Sequence, residues 1–174
     1  CFGVFEMKIN DIVEIKIEKL VFGGEGLGYL NDFAIFVPMS VPGDVLSIKL
    51  ISLNKNYGRG LIENIILPSN DRLDNKKITF EDYSGCDFAM IKYDKQVLYK
   101  SEILKDILKR LGKISVENIP FEKSDDIYNY RNKVAEPFVK IKGKIHTGFY
   151  QKRTHDIFVA DEYNLRSICC NYRS

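Results

Sequence analysis

Between Phe22 and Leu46 the chain is punctuated by Gly23, Gly24, Gly26, Gly28 and Gly43, with short apolar runs between them. Glycine sits where a backbone must bend sharply or let another backbone come close. Ala34-Ile35-Phe36-Val37 reads as a strand, and Pro42-Gly43 reads as a turn. Ile12, Ile15 and Ile17 precede this stretch, and Ile48, Leu50, Leu61 and Ile65 follow it. Ile12-Val13-Glu14-Ile15-Lys16-Ile17 alternates apolar and charged residues, the two-residue period of a half-buried strand. Longer strands are expected from Gly43 to Leu53 and Gly60 to Leu67, parted by Asn54-Lys55-Asn56. Five short strands around glycine-rich bends predict a small closed barrel of OB-like form, a shape that often offers a groove to nucleic acid.

Residues 68–92 read as a connector with few apolar signals before Phe88. A helix is predicted from Tyr93 to Leu111, with Val97, Leu104, Ile107, Leu108 and Leu111 as its apolar face and Gly112 as its C-cap. After Pro120 the pattern returns to strands. Lys133–Lys142 and Lys144–Tyr150 are expected to pair around Gly143, and Asp156–Asp161 to add another strand.

Gly24-x-Gly26-x-Gly28 has neither the spacing of a dinucleotide loop nor a following Gly-Lys-Ser/Thr, so it is read as a barrel bend. Glu25 at its centre would repel phosphate. Tyr29, Phe36, Tyr57 and Arg59 lie on or beside the barrel strands, where aromatics stack unpaired bases and arginine stacks or contacts phosphate. Half of these aromatics are expected in the barrel core, and Arg59, between Gly58 and Gly60, is expected to have a free guanidinium.

The net charge is only +2, but its distribution is uneven. From residue 131 to 153 the cations Arg131, Lys133, Lys140, Lys142, Lys144, Lys152 and Arg153 face Glu136 alone. Such a run is either a phosphate-binding face or a solvated sheet surface. His155 has no partner at ligand spacing and is read as a structural residue. The four cysteines, Cys1, Cys86, Cys169 and Cys170, include no CxxC pair, which gives zinc no ligand spacing. Cysteine usage, with no apolar run of spanning length and no basic head before an apolar stretch, leads us to expect a cytoplasmic protein without a membrane span, and a monomer is expected.

The order GGEGLG, AIFVP and VPGDV resembles the TRAM domain of RNA (uracil-5-)-methyltransferases, including those that modify ribosomal RNA. The likeness runs on through Tyr93, Gln96 and Lys100, then Tyr130-Arg131-Asn132-Lys133, Gly148-Phe149-Tyr150 and Thr154-His155-Asp156-Ile157, covering roughly residues 10–166. The resemblance implies an all-β OB-like TRAM barrel at residues 8–68, a connector at 69–92, a small α/β domain with an antiparallel sheet at 93–166 and an unstructured tail at 167–174. It implies the RNA-binding N-terminal portion of an S-adenosylmethionine-dependent enzyme acting on unpaired or loop regions of ribosomal or transfer RNA. The alternative is a stand-alone, non-catalytic RNA-binding module or adaptor.

The expected RNA-binding residues are Arg59, Arg131, Lys133, Lys152 and Arg153. No strand–glycine-loop–helix site for a cofactor is recognisable, so the family's Rossmann-like methyltransferase domain, its cysteine nucleophile and its S-adenosylmethionine pocket are expected to be absent. Cys169-Cys170 lies beside no identifiable base, and no catalytic residue is assigned. Family members often hold a four-iron, four-sulfur cluster on four cysteines. Here the matching positions are Lys77, Tyr83, Cys86 and Tyr163, and one thiolate cannot hold such a cluster. The connector is instead expected to be held by Tyr83 and Phe88.

Overall fold

The computed structural model describes residues 7–73, 87–127, 130, 135–150 and 155–159. Those up to residue 121 belong to one compact unit and those from 122 onward to a second. In the first, five strands close a barrel: β1 (Ile12–Leu20), β2 (Gly26–Leu30), β3 (Phe33–Val37), β4 (Val45–Leu53) and β5 (Tyr57–Leu67). Their order around the barrel is β1-β2-β3-β5-β4, and β4 pairs back to β1. All neighbours are antiparallel except β3 and β5, which run parallel. This closed five-stranded architecture is the OB-like barrel that the strand pattern predicts.

Alternation decides the core. Ile15, Ile17, Ile35, Val37, Leu46, Ile48 and Leu50 are buried and form one cluster inside the barrel. Ile12, on the opposite parity of β1, is exposed. The glycines make this tight interior possible. A Cβ on Gly28 would be driven into the Lys16 carbonyl oxygen and lie 2.8 Å from Ile15 Cγ1, and one on Gly60 would lie 2.7 Å from Ile48 Cδ1. Gly28 is therefore demanded by the approach of β1 to β2, beside the register shift between Ile17 and Lys19. Asn31 and Asp32, both at positive φ, make the two-residue turn between β2 and β3.

A buried ion pair that the sequence did not reveal holds the β3–β4 turn. Asp44 is fully buried, and its carboxylate accepts hydrogen bonds from Arg72 Nε (3.1 Å), from Arg72 Nη2, from Val41 N–H (2.7 Å) and from Ser69 N–H (2.8 Å). Arg72 Nη2 also donates to the Met39 carbonyl at 2.9 Å. The start of the connector is thus clamped onto the barrel.

Helix α1 (Tyr93–Arg110) follows the predicted limits closely, but its packing differs from expectation. The buried helical residue is Tyr99, in a second cluster with Leu20, Val41, Met90 and Ile91, while Leu104 is 42% and Leu111 79% exposed. Polar bonds fix this rotation. Tyr99 Oη donates to Asp71 Oδ2 at 2.7 Å, Lys95 pairs with Asp71 at 3.2 Å, and Gln96 Nε2 donates to the Ile91 carbonyl at 2.9 Å. Phe88 packs against this second cluster, with Lys100 Nζ 5.4 Å from its ring centroid. Tyr83, expected to share that duty, lies outside the described residues. The helix ends at Leu111, and the left-handed residue beyond it is Lys113 (φ 55°) rather than Gly112. Gly112 serves by close approach, since a Cβ there would sit 2.9 Å from the Leu108 carbonyl oxygen. No helix among the described residues is long and apolar enough to cross a membrane.

The Tyr99–Asp71 bond carries a pH signature. The hydrogen bond from Tyr99 and the nearby Lys95 hold the Asp71 carboxyl below its ordinary value, while burial works in the opposite direction. Burial, then the hydrogen bond to Asp71, keeps the Tyr99 phenol neutral far above its usual range. An aspartate that holds its proton less readily when folded adds stability above the ordinary carboxylate range. That stability is lost as pH falls through the lower folded value. Asp71→Asn should therefore lower the urea midpoint near neutral pH and lose less further stability than the parent on acidification. Parallel acid limbs for the two proteins would show that the bond contributes nothing.

The second unit, taken by itself, holds a three-stranded sheet of β6 (Phe138–Ile141), β7 (Lys144–Tyr150) and β8 (Ile157–Val159), in the order β6-β7-β8 and antiparallel throughout. Lys142 and Gly143, both at positive φ, form the predicted hairpin turn.

Candidate nucleic-acid interface

The outer surface of β2, β3 and β5 is built from two rows of side chains. Tyr29 pairs with Ala34, and Ala34 with Tyr57; one step along, Leu27 pairs with Phe36, and Phe36 with Arg59. The alternate residues Gly28, Ile35, Val37, Gly58 and Gly60 are all buried and belong to the inward parity. Tyr29 and Tyr57 are exposed, at 45% and 38%, and Phe36 is half-buried. The expectation that half of these aromatics fill the core is therefore corrected. Ile35, Val37 and the aliphatic residues of β1 and β4 fill the barrel, which leaves Tyr29 and Tyr57 exposed on the other parity, Phe36 and Arg59 part-buried beside them and Leu27 buried.

The rings form a connected surface. Phe36 and Tyr57 meet edge to face with centroids 5.6 Å apart, and the Arg59 guanidinium carbon lies 5.9 Å from the Phe36 centroid. Arg59 is not free, as its glycine neighbours suggested. Its Nη2 and Nε donate to Glu25 Oε2 at 3.0 and 3.3 Å. Glu25 ends the β1–β2 loop, where Val21 N–H donates to its carbonyl at 2.9 Å and Gly23 and Gly24 take positive φ. A Cβ on Gly24 would lie 2.8 Å from Asp87 Cβ, so this loop packs tightly on the segment before the helix. Gly24 of the glycine motif is in the bend, as read, while Gly26 and Gly28 belong to strand β2, and the glutamate between Gly24 and Gly26 is the partner of the candidate arginine. The sequence does not reveal this pair, because its members are 34 positions apart and meet only through the β2–β3 and β3–β5 registers together. At the other end of the face, the exposed loop Asn54-Lys55-Asn56 adjoins Tyr57, closed by Asn54 N–H donating to the Tyr57 carbonyl at 2.8 Å.

Of the five expected RNA-binding residues, Arg59 is the one the structure describes; Arg131, Lys133, Lys152 and Arg153 lie outside the described residues. So do Lys77, Tyr83, Cys86 and Tyr163 of the connector match, and Cys169 and Cys170. Lys140, Lys142 and Lys144 are exposed on the β6–β7 hairpin. Lys140 is opposite Ile145 and Lys144 opposite Ile141, so the two strand lysines are on opposite faces of the pair. His155 is exposed, its ring edge-on to Tyr150 at 6.4 Å. Among the described residues, no three His, Cys, Asp or Glu side chains gather as metal ligands.

Comparison with known proteins agrees with this architecture. The TRAM domain profile matches residues 7–62. An uncharacterised RNA methyltransferase of Fusobacterium nucleatum is 52% identical over 162 residues, 92% of this chain and 35% of the relative. One from Listeria innocua is 36% identical over 87% of this chain and 33% of its own length. The chain thus spans about a third of the curated relatives it matches. Among solved structures, the Pyrococcus abyssi tRNA (uracil-54, C5)-methyltransferase in complex with S-adenosyl-L-homocysteine shares the fold, with a TM-score of 0.54 and 22% identity over 90% of this chain and 34% of that one. Residues 7–62 are a TRAM domain, in a chain related over nine-tenths of its length to RNA methyltransferases.

Proposed function

We propose that this chain is the RNA-binding portion of an S-adenosylmethionine-dependent RNA (uracil-5-)-methyltransferase and that it engages unpaired or loop regions of ribosomal or transfer RNA. The observation that carries the reading is the outward row of Tyr29, Phe36, Tyr57 and Arg59 on adjacent strands of a TRAM barrel. The faces of the second and third strands of OB-like barrels, with the loops joining strands one to two and four to five, are a recurrent seat for oligonucleotides. Here those loops bring Glu25 and Lys55 to the two ends of the face. Bases stack on the rings, and cations meet the backbone. In the second unit, Arg131, Lys133, Lys152 and Arg153 would add phosphate contacts, continuing a basic run whose Lys140, Lys142 and Lys144 are exposed.

In this reading S-adenosylmethionine serves the longer protein as methyl donor. The described strands and helix supply no parallel strand–glycine-loop–helix site to hold it, so no step is assigned to this chain. The reading also includes no iron–sulfur cluster, since Lys77, Tyr83 and Tyr163 stand where cysteines would be required.

Titration of fluorescently labelled ribosomal RNA hairpins tests the proposal. For about three or four phosphates held by a single strand, a fourfold rise in salt should weaken binding roughly twenty- to fiftyfold. Absence of binding at low salt, or binding indifferent to salt, would refute it.

A further inference from the structure

Arg59 is placed unlike a phosphate-gripping cation. Its side chain is 36% exposed, its charge is met by the Glu25 carboxylate at 3.0 Å, and its guanidinium lies over the Phe36 ring at 5.9 Å. Glu25 itself is only 18% exposed, so the negative charge is held at the surface rather than waving in solvent. A phosphate approaching Arg59 must displace or face that carboxylate. A flat, uncharged nucleobase faces neither penalty. It meets a guanidinium plane and an aromatic ring already joined, with the exposed Tyr57 ring edge-on to Phe36 at 5.6 Å.

We propose that Glu25 converts Arg59 from a phosphate contact into a stacking plane, so that Arg59, Phe36 and Tyr57 together receive an unpaired base of single-stranded RNA. Glu25 is then a positioning residue that orients the guanidinium and turns phosphate away from the centre of the face. The phosphates are left to cations elsewhere. This inference rests on the RNA-binding reading above and deepens it by assigning the chemical group that Arg59 meets.

The two roles differ in what lysine can replace. A phosphate contact needs charge, which lysine supplies; a stacking plane needs the planar guanidinium, which lysine lacks. The test uses the full chain and a single-stranded oligoribonucleotide carrying one 2-aminopurine, whose fluorescence reports stacking directly. The salt dependence of affinity is measured in parallel. R59A and R59K are both expected to weaken binding by about tenfold, the usual effect of losing one stacking contact, with the salt slope unchanged and part of the 2-aminopurine quenching lost. E25Q, which keeps the size of the side chain but releases the arginine, should steepen the logarithmic salt slope by about 0.7, one added phosphate contact on a single strand.

Wild-type affinity in R59K, together with a slope flattened by about 0.7 in R59A, would show a phosphate contact and overturn the inference. An unchanged slope in E25Q would equally overturn the masking role of Glu25. Failure of the unaltered protein to bind the oligonucleotide would instead strike the RNA-binding reading itself. Circular dichroism of each variant separates loss of binding from loss of fold.

Discussion

Asp44→Ala should destabilise the protein by about 4 kcal/mol, because it strips one partner from a buried ion pair and leaves the other uncompensated. Asp44 is fully buried, and the Arg72 side chain is only 12% exposed. The substitution takes the carboxylate from the guanidinium, which keeps only the Met39 carbonyl, and from the N–H groups of Val41 and Ser69 at once. Each buried donor without an acceptor costs on the order of 1–3 kcal/mol, and the charged one costs more. For a unit of this size the thermal midpoint should fall by on the order of 10 °C or more. Replacing both partners, Asp44→Ala with Arg72→Met, should recover part of the loss, since the desolvation penalty of the cation disappears with it. Urea unfolding of the three variants measures this. A change within about 1 kcal/mol for the single variant would mean that water reaches Arg72 and that the clamp is ornamental.

Gly28→Ala is expected to cost about 3 kcal/mol, the upper part of the ordinary range for overfilling a packed interior. The added methyl group points into the barrel, onto the Lys16 carbonyl oxygen and within 2.9 Å of both Ile15 Cγ1 and Cδ1. Backbone stands in the way, so relief requires β1 to move off β2. Gly23→Ala is the control. Its Cβ meets nothing within 4 Å, and its penalty is the left-handed backbone at φ 91°, about 1–2 kcal/mol. The comparison separates the two readings of the glycine motif. A ligand-cradling loop would tolerate Gly28→Ala in stability and lose binding alone. A barrel bend loses stability first and carries the RNA face with it, because β2 bears Tyr29 beside the altered residue. Chemical denaturation, followed by RNA titration under conditions where the variant is folded, gives both numbers. Equal stability losses at positions 23 and 28 would contradict the packing argument.

Much of this molecule was legible in its residues, for a definite reason. Strand and turn signals are local: the alternation of Val13, Ile15 and Ile17, the Lys142-Gly143 turn and the limits of α1 depend on neighbours within a few positions. The glycine spacing marked close approach without needing to say what approaches. The helix already shows where local reading ends. Its apolar periodicity points to Leu104 and Leu111, yet the hydrogen bond from Tyr99 to Asp71 turns Tyr99 to the core.

What the sequence by itself determined is therefore the set of strands, their bends and the kind of barrel they close. The tertiary structure decided which parity of each strand faces outward, and so that Tyr29, Phe36 and Tyr57 form a surface rather than a core. It also decided the partners. Arg59 meets Glu25 through the β2–β3 and β3–β5 registers together, and Asp44 meets Arg72 because the connector folds back across the β3–β4 turn. The physical reason is the same in each case. A side chain's direction follows from local backbone period, but its neighbour follows from the register of strands distant in sequence, and a shift of one residue would exchange every inward and outward group.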